Sequence, residues 1–283
     1  VNESQKDHYH VHLVSDATGE TINSVTRACL VQFKDLPVQE HFWSLVRTPR
    51  QLEMVLDGLK QWPGLVLFTF VDEELRLALS SYCRLHKIPH HSVLEPVLSA
   101  MSNFFGVAPA HDPGKQHVLD ADYFDRIEAM DYALSLDDGN KTDKLAEADV
   151  VILGVSRTSK TPTCIYLSHR GFRAANVPIV PDIPVDVDFS KLTKPLIVGL
   201  TKDPESLVET RLSRLRILHD DEQTSYTNYE DVCREVRNAR ALFAKIGCPV
   251  IDVSRRSIEE TAAEIIMLMN ERQREKDQSH DGI

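Results

Sequence analysis

Apolar and polar positions along this chain follow two periods, and the switching between them predicts most of its elements. In the first hundred residues, three short β-rich runs, "HVHLVS", "HFWSLV" and "GLVLFTFV", are separated by helical patterns from about Glu20 to Phe33 and from about Pro49 to Gln61. Two more helical stretches follow, "EELRLALSSYCRLHKI" and "EPVLSAMSNFFG", divided by Pro89 and Pro96, with His90 and His91 read as loop residues between them. Strands that alternate with helices pair in parallel through right-handed crossovers, so this region is an α/β layer.

The periodicity stops in "GVAPAHDPGKQHV", residues 106–118, where two prolines and two glycines mark a boundary. A helix "DYFDRIEAMDYALSL" follows and closes at "DDGN". Its Phe124, Ile127, Met130, Leu134 and Leu136 mostly fit helical spacing and form the expected packing face. From Asp149 a second α/β series begins: "VVILGV", "TPTCIYLSHRG", "ANVPIV", "PLIVGLT", a helix-rich stretch through "YEDVCREVRNARALFAKI", "PVIDVS" and "SIEETAAEIIMLMNERQ". Apolar strands bounded by Gly and Pro, with helices between them, predict a parallel sheet covered on both faces. The polar "REKDQSHDGI" is expected to fray. No repeat of fixed period is found. The predicted fold class is α/β, with an N-terminal α/β domain at 1–107, a helical connector at 108–148, a second α/β domain at 149–275 and a polar tail at 276–283.

Composition narrows the functional classes. At 283 residues and 42% hydrophobic, the chain is expected to be soluble and globular, with one large core or two moderate ones. A formal charge of −11 argues against a broad nucleic-acid-binding face or a polybasic membrane anchor. No stretch approaches the roughly 20 apolar residues of a membrane span. The five cysteines are scattered and contain no C-x-x-C pair, so the cytoplasm is the expected compartment.

The candidate chemistry lies in "GVSRTSKTP". A P-loop reads G-x-x-x-x-G-K-[ST] between a strand and a helix, because backbone N–H groups curl around phosphate oxygens while a lysine reaches the outer phosphates. Here Gly154, Val155, Ser156, Arg157, Thr158, Ser159, Lys160 and Thr161 match at all fixed positions but one. Lys160 is placed for a β- or γ-phosphate and the Thr161 hydroxyl for Mg²⁺. The departure is Ser159, whose Cβ makes a left-handed backbone cost about 1 kcal/mol. A strand-to-helix turn that binds nothing is the competing reading, but such a turn does not require Lys-Thr at the helix start.

The chain also resembles a known family. "HLVSDATGET", "DYFDRIEAMDYALSLDDG", "ADVVILGVSRTSKTPTCIYLSHRGFRAANVPIVPDIP" and "LIVGLTKDPESLVETRLSRL" are similar to segments of the bacterial pyruvate, phosphate dikinase regulatory proteins. These bifunctional serine/threonine kinases and phosphorylases are related to the regulators of phosphoenolpyruvate synthase. The resemblance implies that ADP donates its terminal phosphate to a threonine of the dikinase and inactivates it. In the reverse service, inorganic phosphate removes that phosphate and leaves as pyrophosphate. It also implies that residues 154–161 bind the nucleotide. "SRTSKTP" resembles the dikinase branch; the alternatives are the same chemistry on phosphoenolpyruvate synthase and a non-catalytic ADP-sensing module. Homo-oligomerisation stays open.

Other residues carry weaker expectations. Asp16, in "SDATGETI" where a strand enters a helix, is a candidate general base or metal-orienting group, or part of a helix N-cap cluster. No carboxylate stands out at the end of an apolar strand, though Asp182 and Asp203 come shortly after two of them and could hold Mg²⁺ through water. Arg157 is either an inward phosphate ligand or a solvated loop cation. Lys202 and Arg211 are likewise either anion ligands or solvated charges. His8, His10 and His12 would share a strand face, as a metal site requires, but no carboxylate or cysteine stands at ligand spacing. Cys164 is expected in the core.

Overall fold

The computed structural model describes residues 8–34, 36–112, 121–136, 142–218 and 226–280. Part of the predicted boundary (113–118) and the "DDGN" closure lie outside the described residues. The chain divides into two compact units, Val1–Val118 and Leu119–Ile283.

The first unit runs β1 (Tyr9–Val14), α1 (Glu20–Leu30), β2 (Val38–Trp43), α2 (Pro49–Gln61), β3 (Leu65–Phe68), α3 (Glu73–Leu85), β4 (His90–Ser92) and α4 (Glu95–Phe105). Its strands pair in parallel in the order β2-β1-β3-β4. Local chemistry sets the helix starts. Thr48 and Asp72 accept the backbone N–H three residues on, from Gln51 and Leu75, and Pro49 opens α2 where no N–H partner is needed.

The second unit runs α5 (Ala121–Ser135), β5 (Val150–Gly154), α6 (Lys160–His169), β6 (Ala174–Pro178), β7 (Leu196–Thr201), α7 (Pro204–Leu218), α8 (Tyr229–Ile246), β8 (Val250–Asp252) and α9 (Ile258–His280). Its strands are also parallel, in the order β6-β5-β7-β8. Every residue of β5 is buried. Val151 and Leu153 enter one core with α5 and α8, while Val150 and Ile152 enter the other with α6 and α9. This two-sided burial explains why "VVILG" is an unbroken apolar run.

The α/β class and the parallel sheets agree with the sequence pattern, but three details differ. His90 and His91 are in strand β4, paired with Val66 and Leu67, because the edge of a sheet tolerates polar side chains that the interior does not. On α5 the buried face is Ala129, Tyr132 and Ala133, continued by Leu136 just past its end, whereas Phe124, Ile127 and Leu134 are exposed. Tyr132 and Leu136 enter the core there with the two small alanines beside them, so of the expected positions Leu136 is on the packing side. Finally, α9 is helical through His280, beyond the point at which the polar segment was expected to fray.

Candidate phosphate-binding site

In the second sheet β5 is flanked by β6 on one side and β7 on the other, so the chain leaves its carboxyl end at the topological switch point. Open parallel sheets bind ligands there, where loops on either side diverge. The loop from Gly154 to Ser159 occupies this position. Arg157 and Ser159 both have positive φ, 71° and 61°, so two non-glycine residues take left-handed backbone within one turn. Gly154 has no such freedom to spare, since a Cβ there would lie 2.7 Å from Thr158 Oγ1 and 2.8 Å from the Leu200 carbonyl oxygen.

Side chains fold under the loop and hold it. Thr158 Oγ1 and Lys160 Nζ both donate to the Val155 carbonyl, at 2.9 and 2.8 Å, and Thr163 Oγ1 donates to the Ser159 carbonyl at 2.7 Å. These bonds offset the left-handed strain, about 1 kcal/mol for each such residue. Within the described residues, the amides of Ser156, Arg157 and Ser159 donate to no protein acceptor. Helix α6 begins at Lys160, so its positive end lies beside those amides. Ser159→Gly is expected to raise stability by about 0.5–1 kcal/mol in denaturant unfolding, because glycine adopts this backbone without a Cβ penalty.

A cleft of about 780 Å³ opens over this loop, lined by Ser156, Arg157, Lys160, Thr161 and Asn176 on one side and by Arg211, Tyr226 and Glu235 on the other. Asn176, from β6, donates through Nδ2 to Thr161 Oγ1 at 3.1 Å and so orients the hydroxyl. Arg211 is fully buried and forms a two-pronged ion pair with Glu235, with Nη2–Oε2 2.7 Å and Nη1–Oε1 3.2 Å. Arg157 is exposed, and its Nε donates to the Tyr226 hydroxyl at 3.3 Å. Among the described residues lining the cleft, Glu235 supplies the carboxylate, and it is committed to Arg211.

The remaining sequence candidates lie elsewhere. Asp203 is exposed and caps α7, accepting from the Ser206 amide at 3.1 Å. Asp182 has φ 60° and lines a second cavity of about 620 Å³ that also includes Asn238 and Leu242. Lys202 donates to Thr210 Oγ1 at 2.8 Å, and burial lowers its pKa, with the opposing pull of Glu209 the smaller effect. Cys164 is buried in the α6–α9 core. In the first unit, Asp16 is buried at the carboxyl end of β1, where its Oδ2 accepts the amides of Val71 at 2.7 Å and Asp72 at 3.3 Å. The polar Asn176 inside an apolar strand was a readable signal. Tyr226 and Glu235 had none, since they meet the loop from some 70 residues away in sequence.

His10 and His12 share a face of β1 beside His41 of β2, and ring nitrogens of both are used within the protein, while His8 precedes the strand. His12 is fully buried; its Nε2 donates to the Trp62 carbonyl at 2.8 Å, and its Nδ1 accepts from Trp43 Nε1 at 3.1 Å. His10 Nδ1 meets His41 Nε2 at 2.9 Å. Among the described residues no group of three or more His, Cys, Asp or Glu is arranged to hold a metal ion. Burial lowers the pKa of His12, helped by the charges of His41 and His10 and opposed by the bond to Trp62. The neutral form therefore contributes stability that is complete above the unfolded value of 6.5 and is lost as pH falls from there toward the lower folded pKa. Thermal melts from pH 8 to 5 should show this loss in the wild type, and His12→Gln should flatten it.

These features define a parallel α/β protein of two units with a strand–loop–helix turn at a switch point. The chain belongs to the kinase/pyrophosphorylase family, whose model matches residues 11–266. The family assignment makes it a phosphotransferase of the kinase type. Among its relatives, a protein of Rhodospirillum rubrum provisionally named a pyruvate, phosphate dikinase regulatory protein is 52% identical over 258 residues, covering 91% of this chain and 94% of that protein. Proteins with the same provisional name from Paramagnetospirillum magneticum and Caulobacter vibrioides are 52% and 48% identical, covering 92% and 93% of this chain and 84% of each relative. No described helix is long and apolar enough to cross a membrane.

Proposed function

We propose that this chain regulates pyruvate, phosphate dikinase in the cytoplasm by moving one phosphoryl group in either direction at the loop of residues 154–161. The observation that carries this reading is the loop itself, with amides of Ser156, Arg157 and Ser159 open beside the start of α6 and Lys160 folded beneath them. Such a cradle neutralises phosphate charge without preferring one direction of transfer, because phosphoryl transfer depends mainly on positioning and charge. In the forward reaction the target threonine oxygen bonds to the β-phosphorus of ADP. The bridging P–O bond breaks, AMP leaves, and the threonine proton passes to a base. In the reverse, an oxygen of inorganic phosphate attacks the phosphothreonine phosphorus, and pyrophosphate leaves as the threonine oxygen regains a proton.

Lys160 meets the outer phosphate, and the loop amides bind its oxygens. Mg²⁺ fits as an ion carried by the phosphates, which neutralises their charge when bound. Thr161 would hold it, since its hydroxyl lines the cleft and is oriented by the Asn176 amide that donates to it. Asp16 is our candidate for the base, on its place after β1 at the carboxyl end of a parallel sheet, where ligand-handling side chains stand. Asp16→Asn tests this well, because an amide oxygen can keep accepting from Val71 and Asp72. The expected outcome is a fall in both rates at unchanged melting temperature; full rates in both directions would remove Asp16 from the chemistry.

The test of the whole reading is incubation with β-labelled ADP and either the dikinase or phosphoenolpyruvate synthase. Label on a dikinase threonine is expected. Label on the synthase alone would redirect the target, and ADP binding without transfer to either would favour a sensing module.

A further inference from the structure

Arg211 is a charge buried beyond what the loop motif requires. It lies on α7, fully shielded from solvent, yet four of its five N–H directions are taken by three different parts of the unit. Nη1 and Nη2 grip Glu235 of α8, Nη1 also donates to the Tyr226 carbonyl at 2.8 Å, and Nη2 donates to the Ser156 carbonyl at 3.3 Å. Its guanidinium carbon stands 4.4 Å from the centroid of the Tyr226 ring. The hydroxyl of that same ring reaches the loop again, 3.3 Å from Ser156 Oγ and 3.3 Å from Arg157 Nε. The fifth direction, Nε, has no partner among the described residues, so the two Nη groups set the orientation of the plane.

We propose that Arg211 is a positioning residue for phosphate binding, acting through the Ser156–Arg157 peptide rather than by touching the ligand. A planar trans peptide carries its C=O and N–H in opposite directions. By holding the Ser156 carbonyl against α7, Arg211 fixes the Arg157 N–H to point the other way, and that amide is one of those open for an oxyanion. The Val155 carbonyl is fixed in parallel by Thr158 and Lys160, which sets the preceding Ser156 N–H. The loop's donors are thus aimed from two sides, one local in sequence and one reaching from α7. Only a planar fork can hold a carboxylate and two carbonyls at once; a lysine ammonium cannot reproduce that geometry.

This inference rests on the phosphate-cradle reading, and pyrophosphate titration calorimetry separates the two. Wild type binds pyrophosphate, and Lys160→Ala does not; a wild type that fails to bind would end the cradle reading and this inference with it. Arg211→Lys keeps a cation opposite Glu235 but loses the fork. It is expected to weaken pyrophosphate binding about tenfold, the scale of one oriented charge-assisted hydrogen bond, with little change in melting temperature. If Arg211→Lys does not fold, Arg211→Met with Glu235→Leu removes both buried charges together and leaves neither unpaired. The double variant should melt at or above the wild-type temperature and show the same loss of affinity. Wild-type affinity in either folded variant overturns the proposal.

Discussion

Replacing Lys160 by alanine is expected to lower phosphoryl transfer at least about a hundredfold in both directions, the scale found when one preorganised donor to a developing oxyanion is removed. The side chain is buried, and its ammonium lies on the Val155 carbonyl beneath the loop. The substitution therefore removes a charge at the cradle and also one of the two side-chain bonds that hold Val155. The second effect is small, because Thr158 Oγ1 keeps its own bond to the same carbonyl. Far-ultraviolet circular dichroism and melting should accordingly stay close to wild type while turnover collapses. Unchanged turnover in a folded Lys160→Ala protein would sink the assignment of this loop to phosphate.

Glu235→Ala should act on stability instead. Arg211 is fully buried and Glu235 nearly so, and the pair is held at 2.7 Å by its closest contact. Truncating the glutamate leaves a guanidinium charge in the interior with only two carbonyls to solvate it. Breaking one side of a buried pair in this way costs about 3–5 kcal/mol. In a unit of this size that corresponds to a fall in melting temperature of roughly 10 °C, readable by calorimetry. Glu235→Gln, which keeps an oxygen acceptor for Arg211, should cost less than half as much. If Glu235→Ala melted like the wild type, the ion pair would not hold α7 and α8 to the loop.

The contrast between these two residues reflects how far apart in sequence each set of contacts lies. Lys160 could be placed from the sequence because its partners are within a few residues: a strand, a glycine, a turn and a helix start all fall inside one short segment. Arg211 could not. On the sequence it was an arginine among other charges in "LVETRLSRLRIL", readable as a phosphate ligand or as a solvated cation, and the structure buries it against Glu235. Its environment comes from Ser156, Tyr226 and Glu235, and no local pattern encodes that meeting.

The same division holds for the fold. Burial of β5 on both faces determined an unbroken apolar run, and the crossover helices determined their own 3.6-residue period, so the α/β class and the parallel sheets were legible in the sequence. Strand order was not: both units adopt the same arrangement, with the first strand second in the sheet, although the sequence carries no repeat. Order depends on which side of the sheet each crossover takes, a choice made by packing between distant segments. The packing side of α5 was decided in the same way: Ala129, Tyr132 and Ala133 are buried while Phe124 and Leu134 are exposed. The sequence by itself thus determined the elements, the loop and the lysine, all products of short-range chemistry. Only the tertiary structure decided which buried charge steadies that loop, because the desolvation that makes Arg211 matter exists only once α7 and α8 have closed over it.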